Sequence, residues 1–184
     1  TTGARLMMAW LVTLFIGSGG MGIYGIALLF AALLEKPLTA IANAAYPTLA
    51  ELMRDGSPDA RRQQARFYAL ILSGTIFLVL SLQLLAPVAI QILVAPRFYG
   101  AIEINSILLI AWLFQGFYLT VAQPIFFKGG GKYMTMASLI SLLVMANLAV
   151  RLIPAYGLVG AAMTMIGSYF VRFLVAAYFS HRIY

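Results

Sequence analysis

From Phe67 to Val94 the chain runs 28 residues without a charged side chain. A run of that length and continuity leaves little choice of structure. A helix crosses the roughly 30 Å hydrocarbon core of a bilayer with about 20 apolar residues. A membrane β-strand needs about ten, alternating in polarity. This run is too long and too evenly apolar for a strand. It is a helix, either in a membrane or inside a large soluble core. Composition removes the second option: 63% of the 184 residues are hydrophobic, only 9% are charged, and the mean hydropathy is +0.97. Soluble domains carry about 25% charged residues. A chain with so few charges cannot cover a surface in water, so it is expected to be an integral membrane protein.

The same pattern recurs along the chain. Residues 6–17 are apolar but too short to span, which suggests a fragment whose first helix is truncated. The uncharged turn SGGMG follows, then a long apolar stretch over 22–53, interrupted by Glu35-Lys36-Pro37. A polar, turn-rich loop occupies 54–66. After 67–94 come the short loop APRFYGAIE, a span at 104–127, the turn KGGGK, a span at 133–153, a reversal at Pro154-Ala155-Tyr156, and a last span at 158–180. The expected fold is an all-α polytopic membrane bundle of about six helices, forming a single lobe over 1–184.

Charge gives the orientation. With loop 54–66 in the cytoplasm and the other connections alternating, Arg5, Arg54, Arg61, Arg62, Arg66, Lys128, Lys132 and Arg182 fall inside, and Arg97 and Arg151 outside. Eight against two is a positive-inside bias that places both ends of this segment in the cytoplasm. The net charge of +7 is explained by those loops, without a nucleic-acid partner. The absence of cysteine rules out disulfides, thiolate chemistry and cysteine metal sites.

Lys36 and Arg172 complete the twelve basic residues, and both fall within apolar runs. The stretch 22–53 makes about 48 Å of helix, longer than the bilayer core, so it must tilt, bend or protrude. Pro37 deprives the Leu33 carbonyl of its helical donor, and Pro47 does the same to Asn43. A rival parse makes 6–34 one span through the glycines, with 35–37 as an outer turn and 38–53 as a short helix. It has the merit of keeping charges out of the bilayer, where they are costly.

Several stretches together resemble a known family: GMGIYGIALLFAALL at 20–34, Asn43 with Pro47, the basic loop, LLAPVAIQILVAPRFYGA at 84–101, KGGGKY at 128–133 and LIPAYGLVGAAMTMIGSY at 152–169. Their order and spacing are similar to the C-terminal half of bacterial O-antigen-type polysaccharide flippases, in the multidrug/oligosaccharidyl-lipid/polysaccharide transporter superfamily. LIPAYGLVGAA is the most specific piece. The resemblance implies half of a MATE-like two-lobe transporter, with an N-terminal half missing. It keeps Glu35 and Lys36 within a span that lines the central cavity. The implied location is the bacterial inner membrane, and the implied substrate a polyprenyl-diphosphate-linked glycan.

The candidate substrate-binding residues are therefore Lys36, Glu35 and Asn43. Lys36 offers a cation to the diphosphate; the plainer alternative is that it snorkels to an interface. Glu35 balances or tunes Lys36, or carries a coupling proton. Asn43 lies seven residues on, nearly on the same face, suited to a sugar hydroxyl or an interhelical hydrogen bond. Arg172 is expected to snorkel toward the cytoplasmic side. Asp55 and Asp59 flank a Gly-Ser-Pro turn and are expected to be solvated, and Gly160, Thr164 and Ser168 form a small-residue stripe for helix packing.

No catalytic residue, cofactor or metal site is expected, so the chain is not expected to be an enzyme. The leading expectation is a flippase acting by alternating access, contacting membrane lipids and an unspecified coupling ion. The alternatives are a drug/cation antiporter of the same superfamily, a membrane-embedded glycan enzyme and a non-transporting scaffold. An antiporter calls for an acidic cavity, and an enzyme for converging acids and bases.

Overall fold

The computed structural model describes residues 2–183, and among them every regular element is helical. Six α-helices follow in order: α1 (Thr2–Ile16), α2 (Ser18–Ala32), α3 (Glu35–Asp55), α4 (Pro58–Leu93), α5 (Ala101–Phe127) and α6 (Gly131–Ile183), with one 3-10 turn at Pro96–Phe98.

Four segments are long and apolar enough to cross a membrane: Ser18–Asp55, Pro58–Leu93, Ala101–Phe127 and Gly131–Arg182. That count is lower than the six expected, for two reasons. At 15 residues, α1 falls short of a span. The two final spans expected from sequence are the two limbs of α6, counted together as one segment, and the chain folds back between them at Gly157. There φ is 57° and ψ is −131°, a backbone open to glycine and strained for other residues. The two limbs then run antiparallel in contact. The Ser168 hydroxyl donates to the Ser141 carbonyl at 3.1 Å, while the two hydroxyl oxygens lie 2.8 Å apart. With the Ser168 proton committed to the carbonyl, Ser141 donates to Ser168. Gly160, Thr164 and Ser168 are all buried on this seam, as the small-residue stripe predicts. A Cβ at Gly160 would strike the Leu152 backbone.

Gly17, with φ 90°, separates α1 from α2, which excludes the rival parse of one helix over 6–34. The long helix expected over 22–53 is present but interrupted. Leu33 and Leu34 keep right-handed helical angles, yet their N–H groups bond three residues back, to Phe30 and Ala31, each at 3.2 Å. The tightening falls where Pro37 withholds the donor from Leu33, so the proline deflects the helix without ending it.

The other boundaries follow from capping chemistry. Gly56 (φ 64°) closes α3 in the left-handed region. Ser57 caps α4 by accepting from the Ala60 N–H at 3.1 Å, with Pro58 at the first helical position. Asp55 accepts from the Ser57 hydroxyl, so this aspartate serves the exposed turn. KGGGK is a helix terminus: the Gly130 N–H bonds the Ile125 carbonyl at 2.8 Å and the Gly129 N–H bonds Phe126, a Schellman arrangement around left-handed Gly129.

The main core lies between α1, α2, α5 and the two limbs of α6, around Tyr24, Leu108, Trp112, Met145 and Tyr169. A buried Asn105 amide ties α5 to the Ala27 carbonyl of α2 at 3.0 Å. Gly116 admits the Thr75 side chain closely, which brings α4 and α5 together at that point. Outward, α4 displays Leu70, Phe77, Leu80, Leu84, Leu85 and Ile92. A surface this apolar is unsuited to water and suited to lipid or a partner.

Candidate functional site

Three charged groups of the apolar segments, Arg5, Glu35 and Arg172, gather in one region, where α1, α3, α5 and both limbs of α6 converge. Arg5 reaches from α1 to Glu35 at the start of α3, with Nη2 2.6 Å from Oε2. It also stacks over the Trp112 ring, 5.1 Å from the centroid. Trp112 lies 15 residues before the end of α5, about 22 Å along the helix axis. Arg5 is therefore inside the bundle and does not belong to the cytoplasmic tally; removing it leaves seven against two, and the bias stands.

Arg172 also departs from expectation. It does not snorkel to the end of its helix. One guanidinium nitrogen donates to the Gln115 Oε1 at 3.3 Å; another donates to the Tyr118 hydroxyl at 3.0 Å and the Ser138 hydroxyl at 3.1 Å. The cation lies 4.0 Å over the Tyr118 ring centroid. Three neutral acceptors and a π face replace water without cancelling the charge. Sequence reading missed this cluster because its members come from α5 and from both limbs of α6. Gln115 and Tyr118, three residues apart inside an apolar run, were its one visible trace.

A cleft of about 330 Å³ runs between these groups, lined by Glu35, Thr39, Trp112, Gln115, Tyr118 and Arg172, among others. Behind it a pocket of about 200 Å³ borders Ser138, Ser141, Tyr169 and the other side of Arg172. The buried Tyr24 hydroxyl and the Arg172 Nε have no hydrogen-bond partner among the described residues, while the Tyr169 hydroxyl lies against the Arg5 guanidinium. The region thus holds polar capacity that the described residues leave unspent, at some energetic cost.

Of the three residues singled out from sequence, Glu35 alone joins this cluster. Its partner is Arg5, not the adjacent Lys36, because neighbours on a helix point about 100° apart. Lys36 and Asn43 are exposed on the outer face of α3 together, as their seven-residue spacing predicts. That face continues through Thr39, Ala40, Ala44, Tyr46, Pro47, Thr48 and Glu51. Apart from Tyr46 it mixes small and polar residues, unlike the leucine-rich outer face of α4. The inner face of α3 buries Leu38, Ala42, Ala45, Leu49 and Met53. Among the described residues, no group of three or more His, Cys, Asp or Glu is placed to hold a metal ion.

Arg5 and Arg172 against Glu35 leave the cluster with a net positive charge, and Lys36 adds a further cation on the outer face of α3. Such an arrangement can hold an anionic group and disfavours a cation. Comparison of the chain with known protein families, with curated proteins and with solved structures finds no match.

Proposed function

We propose that this chain is one lobe of a transporter that moves a lipid-linked oligosaccharide across the bacterial inner membrane by alternating access. In this reading each limb of α6 crosses separately. The outer face of α3 meets the aqueous path shared with a second lobe. The family resemblance of the sequence motivates the glycan and the location.

The observation that carries the proposal is the outer face of α3. A helix embedded in an apolar segment places Lys36, Thr39, Asn43 and Thr48 outward, where lipid contact would call for leucine or phenylalanine. Water or a polar partner is the environment that suits it. Lys36 stands 18 residues from Ser18 and 19 from Asp55, close to the midpoint of this 38-residue segment, beyond comfortable snorkelling reach. The excess of cations favours an anionic substrate over the cationic drugs of an antiporter.

The test is surface glycan in a strain lacking its own flippase, complemented with variants. A phosphate responds to lysine as a point charge, so Lys36→Arg is expected to retain most export. Lys36→Ala and Lys36→Glu are expected to lose it at unchanged membrane protein levels. Normal surface glycan from Lys36→Glu would remove Lys36 as the anion ligand.

A further inference from the structure

A second binding site lies away from this cluster, at the basic end of the bundle. Between α4, α5 and the second limb of α6 run two cavities, of about 400 Å³ and about 440 Å³. They are contiguous, since Tyr68, Val121, Pro124 and Ser180 line both. The inner one is walled by Leu72, Phe117 and Phe173, whose two rings are 5.9 Å apart. The outer one opens beside Arg61 and His181. From Arg61 to Leu72 is about 16 Å along α4, and from His181 to Phe173 about 12 Å along α6. The result is a slot with a cationic mouth and an apolar interior, in the size range of ligand pockets.

We infer that this groove binds an anionic phospholipid of the surrounding membrane, with the phosphate at Arg61 and His181 and an acyl chain along Leu72, Phe117 and Phe173. Charge complementarity selects this occupant. Neither Arg61 nor His181 has a carboxylate partner among the described residues, where the one ion pair is Arg5–Glu35. Arg62, Arg66, Lys128 and Arg182 lie toward the same end, against Asp55 and Asp59. Basic pockets between membrane helices on this kind of face suit anionic headgroups. An apolar peptide would leave the cations uncompensated, and a soluble anion would leave the apolar floor uncovered. The inference requires only that the helices sit in a bilayer; it is independent of what the protein transports.

Spin-labelled phosphatidylglycerol and phosphatidylcholine, compared in vesicles containing the full chain, give the test. The unmodified protein is expected to immobilise phosphatidylglycerol preferentially. Arg61→Gln with His181→Gln should lower that preference about fivefold or more, whereas Arg62→Gln with Arg66→Gln, outside the groove, should change it less than about twofold. Ala177→Phe, which fills the groove, should abolish site-specific immobilisation of both lipids while circular dichroism stays unchanged. Equal losses from the two charge pairs would mean diffuse surface charge and overturn the inference. So would an unchanged preference in Arg61→Gln/His181→Gln, or immobilised lipid persisting in Ala177→Phe.

Discussion

The charges in the apolar segments have different residue-level roles. Arg5 and Glu35 satisfy each other, and Arg172 is held by neutral oxygens and a tyrosine ring. Lys36 is exposed on α3 and has no ion-pair partner among the described residues. The side chains of Arg5 and Glu35 are 25% and 33% exposed, which limits what the pair contributes. A double-mutant cycle with Arg5→Ala and Glu35→Ala, read by unfolding in detergent, should return a coupling of about 1 kcal/mol. Additive effects would show that the contact does not hold α1 against α3. Removing Arg172 is a different matter, because Gln115, Tyr118 and Ser138 would all lose a donor together.

Special backbone positions shape the elements themselves. The Leu33–Leu34 tightening lets one apolar segment present two characters: α2 is apolar throughout, whereas α3 is amphipathic with a polar outer face. The α6 hairpin depends on Gly157. Gly157→Ala should cost about 1–3 kcal/mol, since its φ and ψ lie where a Cβ is strained. Gly74→Ala, in the ordinary helical interior of α4 with open space beside it, should be neutral or stabilising by up to about 1 kcal/mol. Thermal unfolding of both variants in one detergent makes the comparison; equal melting temperatures would mean the hairpin does not need that glycine.

The whole molecule sorts its connections to two ends. A Cβ at Gly20 would meet Leu158, and one at Gly22 would meet Phe98, so the first turn, the 3-10 turn and the α6 hairpin share one end. The basic loop and the KGGGK turn share the other, where Phe67, Tyr68 and Phe127 pack with α3. On the proposed orientation, which rests on the positive-inside bias, that second end faces the cytoplasm. Single cysteines at Ser57 and Gly131 should then resist an impermeant thiol reagent in intact cells, and one at Gly100 should react. The cysteine-free background makes the signal unambiguous. Labelling at Ser57 from outside would invert the orientation.

Properties carried by consecutive residues were legible in the sequence. Apolar run lengths declared the helices and their membrane character, because one segment alone must satisfy the bilayer's thickness. Gly56-Ser57-Pro58 and KGGGK announced their turns, because capping is satisfied by residues a few positions away. The 160–164–168 stripe foretold a close seam, though not that its partner is the limb preceding it. The Arg5–Glu35 pair, the Arg172 cluster and the α4–α5–α6 groove were not legible. Their members are separated by 30 to 57 residues in the ion pair and the arginine cluster. Arg172 therefore reads from sequence as a snorkelling residue, because a single helix shows the distance to its own end and not which polar groups its neighbours present. A buried charge selects partners by proximity in space, and proximity is decided only when the helices pack.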